Sequence, residues 1–189
     1  MKGLKLVRPN KEYQNQAIEY INEFNKFGSK IHGCASLDNY INNYDEWLLK
    51  LEKDRNIVPG TIEGRVPSET FMLIREEDNK LVGIIDIRLM LNDYLFNYGG
   101  HIGYGIRPSE RRKGYASYQL YLGLKFCLEK GLDKVLVTCD KDNIGSAKTI
   151  INSGGVLENE VLRENGDICQ RYWIEVEPSV KRLSKKYEK

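Results

Sequence analysis

Three basic residues in a row, Arg111, Arg112 and Lys113, stand directly before Gly114 and Ala116. They follow the apolar, β-prone run Ile102-Gly103-Tyr104-Gly105-Ile106 and a turn at Arg107-Pro108-Ser109-Glu110. This order reads as a strand, a short basic turn and the start of a helix. The first N–H groups of a helix lack intrahelical acceptors, and the helix dipole places partial positive charge there. Such an end binds anions, phosphate above all. Cations at a helix start oppose the dipole by about 0.3–1 kcal/mol each at exposed sites, so their clustering favours a bound anion over a merely solvated helix start. The spacing is neither G-x-x-x-x-G-K-[ST] nor G-x-G-x-x-G. A turn of this size suits a pyrophosphate held by successive N–H groups.

The elements that must position this turn follow from periodicity. A short strand at Leu4–Val7 precedes a helix over 12–27, with Ala17, Ile18, Ile21, Phe24 and Phe27 at helical spacing and Gly28 as its stop. A second helix is expected over 37–54 and a loop over 55–68, which carries Pro59, Gly60, Gly64 and Pro67. Residues 70–75 and 81–89 form a hairpin, and 92–97 a turn. A helix over 113–130 has Ala116, Leu120, Gly123, Leu124, Cys127 and Leu128 as its inner face. An apolar strand over 134–138 leads to a helix over 143–153. Strands over 156–163 and 168–176 meet at Asn165-Gly166, a strong hairpin signal. Residues 180–189 read as a basic, frayed tail. The result is one α/β (α+β) domain over 1–178, followed by a basic tail over 179–189.

Composition narrows the classes of function. The 189 residues carry 29 Lys plus Arg against 27 Asp plus Glu, a net charge of +2. That balance argues against a general nucleic-acid or membrane binder. Four cysteines without a C-x-x-C pair and two histidines give no metal-ligand spacing, so no metal is expected. The first residues lack the apolar core of a signal peptide, and no apolar run reaches membrane-spanning length. A cytoplasmic protein with reduced thiols is therefore expected.

Arg111-x-x-Gly114-x-Ala116, after the strand ending Ile106-Arg107-Pro108, resembles motif A (Q/R-x-x-G-x-G/A) of the GNAT superfamily of N-acetyltransferases. Asp140-Lys141-Asp142-Asn143-Ile144-Gly145-Ser146 likewise resembles that family's asparagine-containing helix start. The likeness covers residues 69 to 176. More narrowly, Val66–Thr70, Leu91–Tyr94, Tyr98–Tyr104 and Gln170–Trp173 resemble a bacterial subgroup of predicted acetyltransferases with no assigned substrate.

The resemblance implies a single mixed sheet of about seven strands, splayed at its centre and flanked by about four helices. It implies an acetyl-CoA-dependent N-acetyltransferase in which an acceptor amine, on a small molecule or a peptide, attacks the thioester directly. The backbone of Ile106 and Arg107 would pair with the pantetheine. Arg111, Arg112, Lys113, Gly114, Tyr115 and Ala116 would hold the pyrophosphate, and Asn143 and Ser146 would lie along the CoA arm. Many members place a proton-donating tyrosine seven residues after the asparagine; here that position is Ile150. Tyr172, Tyr104 and Cys139 are the alternatives, and His101 and Glu69 are the candidate bases. A homodimer is an assembly common in the family. Residues 28 to 68 are expected to wall the acceptor side.

Plainer readings stand beside these. Asn143 is a good helix N-cap, His101 a structural histidine, Cys139 a small buried residue and Glu69 an ion-pair partner. Without the usual tyrosine, an acyl-CoA-binding sensor that catalyses nothing is the alternative function. A nucleic-acid contact at the basic turn is the third, disfavoured by the near-neutral charge.

Overall fold

A computed structural model describes residues 3–188. Its strands are β1 (Leu4–Val7), β2 (Ser68–Arg75), β3 (Lys80–Arg88), β4 (Ile102–Ile106), β5 (Lys134–Asp140), β6 (Gly155–Leu162) and β7 (Ile168–Glu175). Its α-helices are α1 (Gln14–Lys26), α2 (Tyr44–Arg55), α3 (Tyr115–Glu129), α4 (Ile144–Asn152) and α5 (Val176–Tyr187). The strands form one sheet in the order β1-β2-β3-β4-β5-β7-β6. Every neighbouring pair is antiparallel except β4 and β5, which are parallel.

Strand side chains alternate between the two faces of the sheet, and both faces are covered. On one face, Tyr20, Ile21 and Phe24 of α1 and Tyr44, Trp47 and Leu51 of α2 pack against Met72, Ile74, Leu81 and Ile84. On the other, Leu120, Leu124 and Cys127 of α3 and Leu183 and Tyr187 of α5 pack against Ile85, Ile87, Ile102, Val135, Val137 and Ile174. Leu120 and Leu124 are fully buried. Burying each such side chain contributes about 1.5–3 kcal/mol.

Four local expectations need correction. The second helix is broken: a 3-10 turn over Leu37–Tyr40 is separated from α2, which starts after Asn43. Asn42-Asn43 supplies side chains that compete with helical hydrogen bonds. Leu128 is 40 % exposed and lies outside the inner face of α3. The turn before β4 is a π-helical turn over Leu95–Gly99, closed by the Gly100 N–H on the Leu95 carbonyl at 2.6 Å. The basic tail is not frayed: it is α5, an amphipathic helix whose Val176, Ser179, Leu183 and Tyr187 are buried and whose lysines face solvent. Its apolar residues recur at intervals of three and four, a period that the Lys-rich composition masks. No helix among the described residues is long and apolar enough to cross a membrane.

Candidate active site

The sheet opens where its only parallel pair begins. Ile102 is in register with Val137, and no further β4–β5 register follows. Beyond that point β4 continues beside β3 alone. Antiparallel backbone groups alternate in direction. The N–H of Arg107 bonds the Val82 carbonyl at 2.9 Å, so Gly103, Gly105 and Arg107 face β3. Tyr104 and Ile106 therefore turn their backbone groups into the opening. This corrects one expected contact: the Arg107 N–H is already taken by β3, and Tyr104 joins Ile106 at the open edge, where the Ile106 carbonyl also accepts from Arg111. The Arg107 side chain also leaves the opening. It is buried against α1, bonding the Gln16 carbonyl and lying 3.6 Å from Glu23.

A cleft of about 1100 Å³ runs along this opening. One end is the basic turn. Arg112 has φ +63° and Gly114 φ +82°, so two left-handed residues bracket Lys113. Such alternation turns successive N–H groups to one side as an anion nest. Gly114 is also the N-cap of α3, and the first bond of the helix runs from the Tyr118 N–H to the Gly114 carbonyl. The N–H groups of Tyr115, Ala116 and Ser117 precede that bond and stay open. All three residues line the cleft, as do Arg111, Arg112 and Gly114. The first turn of α3 holds no acidic residue.

The basic side chains divide their labour differently from the expectation. Arg111 donates through Nε to the Ile106 carbonyl at 3.2 Å and through Nη2 to Ser29 Oγ at 2.8 Å, and its guanidinium lies over the Phe24 ring. It ties the chain after α1 to the end of β4. Lys113 turns away from the cleft to Glu110, at 2.7 Å. Burial pulls the Glu110 pKa up, but hydrogen bonds from Lys113, Lys80 and Arg75 prevail and hold it at about 2. Only Arg112 of the three basic side chains has no such partner among the described residues.

Along the cleft, Asn143 caps α4 by accepting the Ser146 N–H at 3.1 Å. Ser146 Oγ lies 2.9 Å from the Tyr104 hydroxyl. Tyr104 reaches across from β4 to α4, and burial raises its pKa so that it stays protonated. Cys139 also lines this stretch; burial pushes its thiol up to about 11. Ile150, at the usual tyrosine position, is wholly buried in the core.

The other candidates lie elsewhere. The Tyr172 hydroxyl bonds Gln170 at 2.7 Å, and its ring belongs to the core rather than the cleft. His101 accepts the Leu136 N–H on Nδ1 at 2.9 Å while its backbone N–H donates to the Leu136 carbonyl at 2.7 Å, which staples β4 to β5. Burial, with Arg88 nearby, lowers its pKa to about 4. Glu69 is buried between Arg8 and Arg55. None of the three lines the cleft.

The far wall comes mostly from residues that the sequence motifs did not include, Tyr98 and Asp140 apart. Lys30, His32, Gly33, Arg88, Tyr98, Asp140 and Arg163 meet there from five separate stretches of chain. Gly33, at φ +66°, lies so close to β4 that a Cβ would fall 2.2 Å from the Tyr104 nitrogen. His32 is thereby laid against β4, and burial lowers its pKa, leaving a neutral imidazole at pH 7. The expected wall over 28–68 thus narrows to its first residues; the loop over 55–66 is outside the cleft. No cluster of three potential metal ligands occurs among the described residues.

A model of the acetyltransferase (GNAT) family matches residues 33–150. No curated protein matches the sequence. Among solved structures, Mycobacterium smegmatis RimJ in complex with CoA-disulfide superposes with a TM-score of 0.74 at 16% identity, covering 97% of this chain and 89% of that one. A spermidine N-acetyltransferase SpeG chimera from Vibrio cholerae and hSSAT gives 0.66 at 15% identity, covering 96% and 100%. A GNAT-family acetyltransferase from Bacillus anthracis gives 0.62 at 19% identity, covering 93% and 96%. These likenesses show a shared fold.

Proposed function

The chain belongs to the acetyltransferase (GNAT) family, and from that premise we propose that it transfers the acetyl group of acetyl-CoA directly to the amine of a small molecule or peptide. The observation that carries this reading is the open β4 edge leading away from the left-handed turn at Arg112 and Gly114. A groove with free backbone donors and acceptors, ending in an anion nest, fits a ligand with amides at one end and a pyrophosphate at the other. Tyr104 and Ile106 would pair with the amides. The N–H groups from Arg112 to Ser117 would hold the phosphates, with the Arg112 side chain adding charge. Asn143 and Ser146 would flank the arm between.

Acetyl-CoA supplies an activated acyl carbon, so the chain needs to orient the amine and move two protons. In the balanced reaction a C–N bond forms and the C–S bond breaks. The amine loses one proton and the departing sulfur gains one. His32 is the better-placed base, because it lines the cleft and is neutral at pH 7. Tyr104 is the better-placed acid: it lines the cleft, and its hydroxyl stays protonated and is oriented by Ser146. General acid–base help of this kind contributes about 10²–10⁴-fold. Tyr172, His101 and Glu69 then serve the fold.

The test is CoA release from acetyl-CoA across an amine library, beside calorimetric binding of acetyl-CoA. Binding with turnover supports the proposal; absence of binding overturns it. The buried Ile150 favours a second reading, a CoA-binding sensor without turnover. Binding without release from any amine would support that one.

A further inference from the structure

The far wall of the cleft carries an oriented cation. Arg88, at the end of β3, forms an ion pair with Asp86, its Nε 2.8 Å from Oδ2. The other Asp86 oxygen accepts the Thr70 hydroxyl at 2.9 Å, deep in the sheet. The guanidinium is thus fixed on one edge by a buried carboxylate that is itself fixed. Its other edge lies over Gly103, where a Cβ would stand 3.1 Å from Nη1 and 3.5 Å from Nη2. A side chain there would make the guanidinium or Gly33 give by a few tenths of an ångström. Nη1 and Nη2 make no hydrogen bond among the described residues, and Arg88 lines the cleft. A fixed, part-buried guanidinium with two free N–H groups matches a carboxylate bidentately.

The carboxylates of this region are already matched to cations or lie at the rim. Asp140 is held on one oxygen by Arg163 at 2.7 Å and approached on the other by Lys30 at 3.1 Å. Asp86 serves Thr70 and Arg88. Glu110 is held by Arg75, Lys80 and Lys113. Asp142, exposed at the α4 end, lies with the donor half. Among the described residues no interior carboxylate of the cleft is left for a second ammonium, while Arg88 is left for an anion.

Resting on the acetyltransferase reading, we infer that the acceptor is an aminocarboxylate, a small amine whose carboxylate is held by Arg88. The side of Gly103 that meets Arg88 also meets Gly33, the direct neighbour of His32, so the anion site lies on the His32 side of β4, while Tyr104, the next residue, turns its side chain to the other face. A polyamine would bring a second ammonium against Arg88.

The test uses matched pairs: phenylalanine with phenethylamine, alanine with ethylamine and 4-aminobutyrate with propylamine, alongside spermidine and phosphoethanolamine. CoA release is measured on the wild type, R88K and R88Q, and acetyl-CoA affinity and melting temperature are recorded for each. The expected result is a kcat/KM at least tenfold higher for the carboxylate member of one or more pairs. In R88Q that ratio falls toward one through a rise in acceptor KM, and R88K recovers part of it. A preference for spermidine, phosphoethanolamine or the decarboxylated members overturns the inference, as does a ratio that survives in a folded R88Q. Those outcomes leave acetyl transfer standing, whereas failure of the wild type to bind acetyl-CoA removes both.

Discussion

The two halves of the cleft are built from different materials. The half proposed to hold acetyl-CoA is backbone: the edge of β4, the left-handed turn and the open N–H groups of α3. The half proposed for the acceptor is side chain: His32, Arg88, Tyr98, Asp140 and Arg163, brought in from separate elements. A backbone site needs chain conformation, which glycine and turn residues fix locally, and on the proposed reading it meets the parts common to every CoA ester. A side-chain site can be rebuilt residue by residue without disturbing the strand beside it. The division lets one donor scaffold serve many acceptors.

Substitutions separate the halves, beginning with the largest effect. Gly114→Val forces a β-branched residue into φ +82°, a conformation such residues rarely adopt. Acetyl-CoA affinity is expected to fall by about 100-fold or more with the core intact, read by calorimetry and circular dichroism. Near wild-type affinity would break the claim that the donor half is backbone. Tyr104→Phe keeps the ring and removes the proton. A loss in kcat of about 10² is expected, with little change in acetyl-CoA affinity; a Tyr172→Phe variant matching that loss would move the acid out of the cleft.

His32→Gln sharpens the acceptor half. Burial lowers the His32 pKa from its ordinary value, so as the proposed base it is neutral at pH 7 and becomes protonated only in more acidic buffer. The wild-type rate is expected to fall on the acid side, below about pH 6.5. In His32→Gln the rate is expected to be lower by about tenfold or more, without that acid limb. An unchanged limb would assign the titration to another group. The smallest effect concerns His101, which is a staple here. Its folded pKa of about 4 lies below the unfolded value of about 6.5. Its contribution to stability is therefore complete above pH 6.5 and is lost as pH falls toward 4. Denaturation across that window should show a shallower pH dependence in His101→Gln, and a parallel curve would deny His101 this role.

Legibility in the sequence follows the same division. The strand, turn and helix of the donor half are contiguous, so Arg111-x-x-Gly114-x-Ala116 displays them in chain order. The seven strands were legible from alternation and from Asn165-Gly166. The acceptor half was hidden because Arg88 looks like an ordinary strand end until Gly103 is seen beneath it, and His32 sits in an irregular stretch. His101 and Glu69 drew attention by residue type, yet their partners, Leu136, Arg8 and Arg55, are remote in sequence. The α5 helix was hidden by its lysines; its buried residues make sense only against the groove beside α3. Gly33 carried a signal in principle, since a glycine amid irregular chain often marks a close approach.

The most direct measurement is thermal unfolding of the intact chain with acetyl-CoA, read beside Gly114→Val. Ligand at a hundred times its dissociation constant adds about 2.7 kcal/mol of stability, which for a domain of this size raises the melting temperature by roughly 5–10 °C. A rise of that order in the wild type, absent in a folded Gly114→Val, is the expected result. An unmoved wild-type transition, or an equal rise in the variant, would contradict a backbone-built acetyl-CoA site at the Arg112–Gly114 turn.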